Sequence, residues 1–111
     1  MRIVPNNKAR SSFVSHDRHL RKKVFLSQNE VPGILQWATS ELPPSTRITE
    51  HTHQDTTEIF QILEGSMTAI VNKASHHLEK EDFLVIEAGD SHAFENTGEN
   101  SCKFLYTLIK H

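Results

Sequence analysis

Two histidines stand one residue apart, His51 and His53, and a carboxylate, Glu58, follows five residues later. On an extended strand, side chains two apart leave the same face, roughly 6.6 Å apart along the backbone. His51 and His53 can therefore turn into one cavity with their imidazoles converging on a single ion. The polar segment Gln54–Thr57 reverses the chain, and Glu58 opens the next strand, within reach of the same ion. Two imidazoles and a carboxylate are a borderline donor set, suited to Fe, Mn, Ni, Cu or Zn rather than Ca or Mg. Taken alone, the pair reads more readily as a polar strand edge facing water.

A second segment bears on that choice. Phe83–Glu87 reads as an apolar strand, and Ala88-Gly89-Asp90 turns it into Ser91–Asn96, which carries His92 and Phe94 on one face. An aromatic ring beside a histidine implies a cavity wall rather than an exposed edge.

The elements around these residues are short. Val24–Leu26, Ile34–Leu42, Arg47–His53, Glu58–Leu63, Met67–Val71, Phe83–Glu87, Ser91–Glu95 and Cys102–Ile109 read as strands bounded by Pro, Gly, Asn and Asp turns. That spacing predicts an all-β sandwich or barrel, not βαβ units. Met67–Leu78 reads as a hairpin. His16–Lys23 is expected to form at most a short polar helical turn, because its apolar positions are too few for a stable amphipathic face.

The run His51-x-His53-x4-Glu58-x6-Gly65 resembles the first cupin motif, and Gly89-x2-His92-x3-Asn96 resembles the core of the second. With flanking strands, the resemblance covers about residues 34–109. It implies a small jelly-roll barrel of two antiparallel sheets, holding one divalent transition metal (Fe, Mn, Ni, Cu or Zn) through His51, His53, Glu58 and His92. The expected layout is an irregular basic arm over residues 1–23 and a single cupin domain over 24–111. Three turn positions depart from the family's pattern. Ser45 and Glu81 stand where glycine is usual, and Glu87 stands where proline is usual; none of these removes a ligand.

Strand parity from the ligands turns Phe60, Ile62 and Phe94 inward as pocket lining, with Cys102, Phe104, Tyr106 and Leu108 on the inner face of the last strand. Each aromatic residue serves equally as core filling, since a small barrel packs its interior with side chains. Tyr106 is the candidate catalytic residue, a phenolic donor or acid beside bound substrate. Trp37 either walls the pocket or sits at a subunit interface, and Gln61 has the outward parity. His76 and His77 are adjacent and face opposite ways, so both cannot join one site. His16, His19 and His111 fall in terminal segments and read as solvated, and Cys102 reads as a small buried hydrophobe.

Composition sets the outer limits. A chain of 111 residues has room for one domain, and its lone cysteine excludes an intramolecular disulfide and points to a reducing, cytoplasmic setting. No apolar run has the length of a membrane span or a signal sequence. The net charge of −2 is uneven: residues 1–24 carry seven Lys or Arg against one Asp, while the remainder is acidic. An arm without interleaved aromatics on an acidic body argues against nucleic-acid binding. A cavity that is apolar and aromatic, with few positive charges nearby, points to a small oxygen-chelating or aromatic molecule. The expected activity is a metal-dependent oxidoreductase of the dioxygenase type. The alternatives are a metal-dependent isomerase, epimerase or lyase, and a non-catalytic module that binds a small ligand. Apolar residues on both faces of the last strand predict a homodimer.

Overall fold

The structure, a computed structural model, describes residues 1–14 and 17–111, with the side chains of 17–19 outside the description. After one turn of 3-10 helix at Asn6–Lys8, the chain runs through β1 (Arg10–Val14), β2 (Asp17–Leu26), β3 (Ile34–Leu42), β4 (Thr46–His51) and β5 (Thr56–Glu64). It continues as β6 (Met67–Val71), β7 (Ala74–Leu78), β8 (Phe83–Ile86), β9 (His92–Asn96) and β10 (Cys102–Lys110). Two antiparallel sheets result, ordered β1-β2-β3-β10-β5-β8 and β4-β9-β6-β7. Neighbours such as β3 and β10, or β4 and β9, are distant in sequence, which is the crossing pattern of a jelly roll.

Alternation along the strands explains the two-layer arrangement. On β5, Thr56, Glu58, Phe60 and Ile62 are buried while the residues between them are only half-buried. On β10, Cys102, Phe104 and Tyr106 turn the same way. With Ile48, Met67, Ala69 and Phe94 from the smaller sheet, they form one hydrophobic cluster. The hairpin expected over Met67–Leu78 is present as β6 and β7, with Met67 opposite Leu78.

The N-terminal segment is not the irregular arm its charge suggested. Arg10 pairs opposite Val24 between β1 and β2, and Lys22 pairs opposite Ser40 between β2 and β3. From Asp17 onward the expected helical turn is strand, and His16 lies outside the described residues. Leu20 and Val24 are buried at 2% and 5% exposure, Lys22 between them is half-buried, and Arg21 and Lys23 are exposed, so the period is two rather than that of a helix. The deciding partner, β3, is remote from the local pattern. β2 runs unbroken to Leu26, past the point where arm and domain were expected to divide.

The departing turns are accommodated in the backbone. Ser45 and Glu81 adopt left-handed φ angles of 60° and 74°, the conformation glycine takes most easily. Glu87 uses the N–H that a proline would lack, donating it to Asp90 Oδ2 at 3.0 Å. Gly65 is tighter still: its φ is +79°, and a Cβ there would lie 2.6 Å from the Ser101 carbonyl oxygen.

The outer face of the larger sheet is apolar in places. Phe83, Val85 and Trp37 are 57%, 49% and 38% exposed. Trp37 sits between pocket-lining Gln36 and fully buried Ala38, which places its indole on that outer face rather than in the pocket. Among the described residues, no helix is long and apolar enough to cross a membrane.

Candidate metal centre

The four residues that the two cupin-like motifs bring forward meet at one point. β4 and β9 pair with His51 directly opposite His92, and an irregularity between Ile48 and His51 re-aims the end of β4. His53 lies just past that end, since β4 stops at His51 instead of running to residue 53. Glu58 projects from β5 in the other sheet and is buried. One nitrogen or oxygen from each of His51, His53, Glu58 and His92 lies within 4.8 Å of all the others.

Hydrogen bonds fix the orientation of the rings. The Nδ1 atoms of His51 and His92 lie 2.8 and 2.9 Å from the carbonyl oxygens of Thr49 and Asp90. A carbonyl only accepts, so each Nδ1 carries the proton and each Nε2 is left to face the centre. His92 Nε2 is 2.9 Å from Glu58 Oε1, and His53 Nε2 is 3.8 Å from the same oxygen. Burial pulls the proton affinity of His92 down, but the hydrogen bonds and charges of Glu58 and Asp90 outweigh it, so its pKa is raised. The Gly89 N–H donates to the His53 carbonyl at 2.8 Å, tying the turn before β9 to the loop after β4.

This donor set fits a transition metal. Donors held about 2.0–2.2 Å from one ion lie at most about 4.4 Å apart, so only a slight contraction brings the four together. Three imidazoles supply borderline donors, and a single carboxylate leaves a divalent ion with net positive charge.

From the centre opens a cavity of about 190 Å³. Phe60, Phe94, Phe104 and Tyr106 line it as parity indicated, joined by Ile48 and Leu108. The Phe60 ring lies 4.5 Å from that of Phe94 and stacks 5.9 Å from that of Tyr106. Ile62 is a correction: it is fully buried in the hydrophobic cluster and does not line the cavity. Parity assigns a side chain to the interior but not to a particular part of it. The Tyr106 hydroxyl donates to Gln36 Oε1 at 3.0 Å, and burial first, then the charge of Glu58, pushes the phenol pKa up.

Positive charge near the cavity is sparse, as expected, but it is not absent. Lys22 lines the cavity, with its Nζ donating to Gln36 Oε1 at 3.0 Å. Lys22, Gln36 and Val14 all belong to strands whose pairing the local sequence conceals. The available signal was Leu20-x-Lys22-x-Val24, a lysine at an inward position of an alternating strand.

The remaining histidines stand apart from the centre. His76 and His77 are exposed on β7, and His111 bonds to Thr57 Oγ1 at 2.6 Å. His16 and the side chain of His19 lie outside the described residues. Cys102 is fully buried, and burial pushes its thiol pKa up to about 11.

Comparison with known proteins agrees with this geometry. The family profile of the cupin domain matches residues 38–108. An oxalate-binding protein of Thermotoga maritima is 32% identical over 73 residues, covering 66% of this chain and 60% of that one. The quercetin 2,3-dioxygenase of Bacillus subtilis is 32% identical over 72 residues, covering 65% of this chain and 21% of the enzyme. The match spans 60% of the first relative's length and 21% of the second's, less than two thirds of either. The crystal structure of a predicted oxalate decarboxylase from Thermotoga maritima superposes with a TM-score of 0.89 at 24% identity, over 99% of this chain and 100% of that one. At that identity the likeness bears on the fold. The chain belongs to the cupin family.

Proposed function

We propose that this cupin is a metal-dependent oxidoreductase of the dioxygenase type, acting on a small molecule that chelates through oxygen. The observation that carries this reading is the convergence of His51, His53, Glu58 and His92 on a cavity walled largely by aromatic and aliphatic side chains. A divalent metal bound there would supply Lewis acidity to an oxygen ligand and, for iron, copper or nickel, chemistry with dioxygen. The chain's own residues do the rest. The Thr49 and Asp90 carbonyls hold the His51 and His92 rings in the tautomer that presents Nε2. Phe60, Phe94 and Phe104 offer flat apolar walls beside the centre. Similarity to a quercetin dioxygenase supports oxygen chemistry, and similarity to an oxalate-binding protein supports an oxygen-rich chelating ligand.

That second similarity also supports a non-catalytic binding role. An isomerase or lyase is less well served. It needs a general acid or base with a pKa near the working pH, and the raised pKa of Tyr106 keeps its proton in place. Oxygen consumption by metal-loaded protein, with quercetin and oxalate as probes, separates the readings. Turnover only in air supports the dioxygenase, binding without turnover in air or argon supports the binding module, and turnover under argon contradicts both.

The exposed Phe83, Val85 and Trp37 support assembly as a homodimer through the outer face of the larger sheet. A monomer mass in light scattering would contradict that assembly. The single, buried Cys102 supports a reducing, cytoplasmic setting.

A further inference from the structure

The inward face of β2 reads Leu20, Lys22, Val24, with a lysine between two buried aliphatic residues. A charge in such a position is costly unless it is partnered. Edge strands use inward charges to block pairing, but β2 is hydrogen-bonded to β1 on one side and β3 on the other. Lys22 is not blunting an edge.

Its surroundings describe a half-built anion site. The ammonium donates one hydrogen bond, to Gln36 Oε1, which also accepts from the Tyr106 hydroxyl at the same 3.0 Å distance. An ammonium has three donors, so two remain. Among the described residues, no carboxylate lies within ion-pair distance of Lys22. Burial, followed by the positive charge of Arg10, lowers its pKa. Lys22, Gln36 and Tyr106 line the same cavity as His51, His53 and Glu58. Lys22 and Gln36 also lie before residues 38–108, so the family's matched region contains neither.

We infer that Lys22, with Gln36 and Tyr106, forms an anion subsite facing the metal centre, and that the pocket takes a short dicarboxylate bound at both ends. This rests on the metal reading above. Charge selects the ligand class. A divalent ion with the Glu58 carboxylate leaves one positive charge at the centre, and Lys22 adds a second. A dianion with one carboxylate for each neutralises the pocket. A phosphate, with nearly two charges on one group, would overload a single ammonium. A cavity of about 190 Å³ lies below the roughly 300–1,000 Å³ of pockets for drug-sized ligands, which favours a short chain between the two ends. Tyr106, kept protonated, serves in the subsite as a donor that orients Gln36.

The test uses metal-loaded full-length protein and isothermal titration with oxalate, malonate and succinate, alongside the uncharged chelator acetohydroxamic acid. In Lys22→Met the best-binding dicarboxylate weakens about 10–100-fold, the range for losing a hydrogen bond to a charged group, while acetohydroxamic acid binds as in wild type. Tyr106→Phe, which keeps the ring, weakens the dicarboxylate about 3-fold. Equal dicarboxylate affinity in wild type and Lys22→Met overturns the subsite. So does a wild type that binds acetohydroxamic acid but none of the dicarboxylates, and both results leave the metal reading intact. A wild type that retains no metal overturns that reading, and the subsite with it.

Discussion

The two walls of the pocket are assembled by different means. On the metal side, His51 and His53 lie at the end of one strand, Glu58 opens the next, and His92 is brought opposite His51 by the β4–β9 pairing. On the other side, Lys22 and Gln36 are 14 residues apart, and Gln36 and Tyr106 are 70 apart, on β2, β3 and β10. The metal wall converges through a compact motif that few arrangements besides chelation explain. The lysine wall is three ordinary residues that acquire meaning only when the strand order places them together. Motif spacing thus marks the candidate metal donors, with the β4–β9 register bringing His92 to them, whereas register alone places Lys22, Gln36 and Tyr106 together.

The difference is sharpest in metal affinity. His51→Ala and His53→Ala should each weaken metal binding by more than about 100-fold, since even the partners that orient a ligand are worth about 10–100-fold. His76→Ala, exposed on β7, should leave affinity unchanged in the same competition assay against a chelating dye. Comparable losses in all three would dissolve the distinction between site and surface histidines.

Next in size is the turn that follows β5. In Gly65→Ala the new methyl meets a backbone carbonyl at 2.6 Å in a left-handed conformation, so neither side chain nor solvent can yield. We expect a loss of about 2 kcal/mol or more in urea unfolding. A neutral effect would mean that this turn is softer than its geometry indicates.

The walls should also part company in pH. A metal displaces the proton from His92, whose pKa is raised, so metal affinity falls as pH drops through and below that raised value. In metal-free protein the sign reverses. There the His92–Glu58 pair contributes stability that is present below the ordinary histidine pKa of about 6.5 and fades as pH rises through the raised value. Melting curves between about pH 5 and about pH 8 should therefore show the metal-induced gain shrinking on the acid side. A gain independent of pH would remove His92 from the ligand set.

The smallest effect belongs to Glu81, held at φ 74°. Glu81→Gly should relieve a left-handed residue and stabilise the fold by about 1 kcal/mol, with metal content unchanged. Destabilisation would show that the Glu81 side chain matters more than its backbone.

Much of this was legible in the sequence, and the limits follow the same division. The strands Ile34–Leu42 and Met67–Val71 begin and end where turn residues place them, because Pro, Gly and Asn punctuate the chain locally. The inward faces of β5, β9 and β10 followed from parity and the shared direction of His51 and His53 from their spacing, while the full set of four metal donors came from the resemblance to the cupin motifs. β2 did not, because Leu20 and Val24 are four apart and suit a helix face as well as a strand face. Its partners β1 and β3, the latter ten or more residues further on, settle the choice through their hydrogen bonds. The role of Lys22 was hidden for the same reason. Ile62 shows the complementary limit: its inward direction was right, yet direction alone does not separate a sealed core from an open cavity.

In the proposed arrangement one wall holds the metal and the other holds only its ligand. Elemental analysis of protein purified without chelator or added metal tests it most directly, on wild type, His92→Ala and Lys22→Met in parallel. One transition-metal ion per chain is expected in wild type and Lys22→Met, and almost none in His92→Ala. Equal metal in wild type and His92→Ala would contradict it.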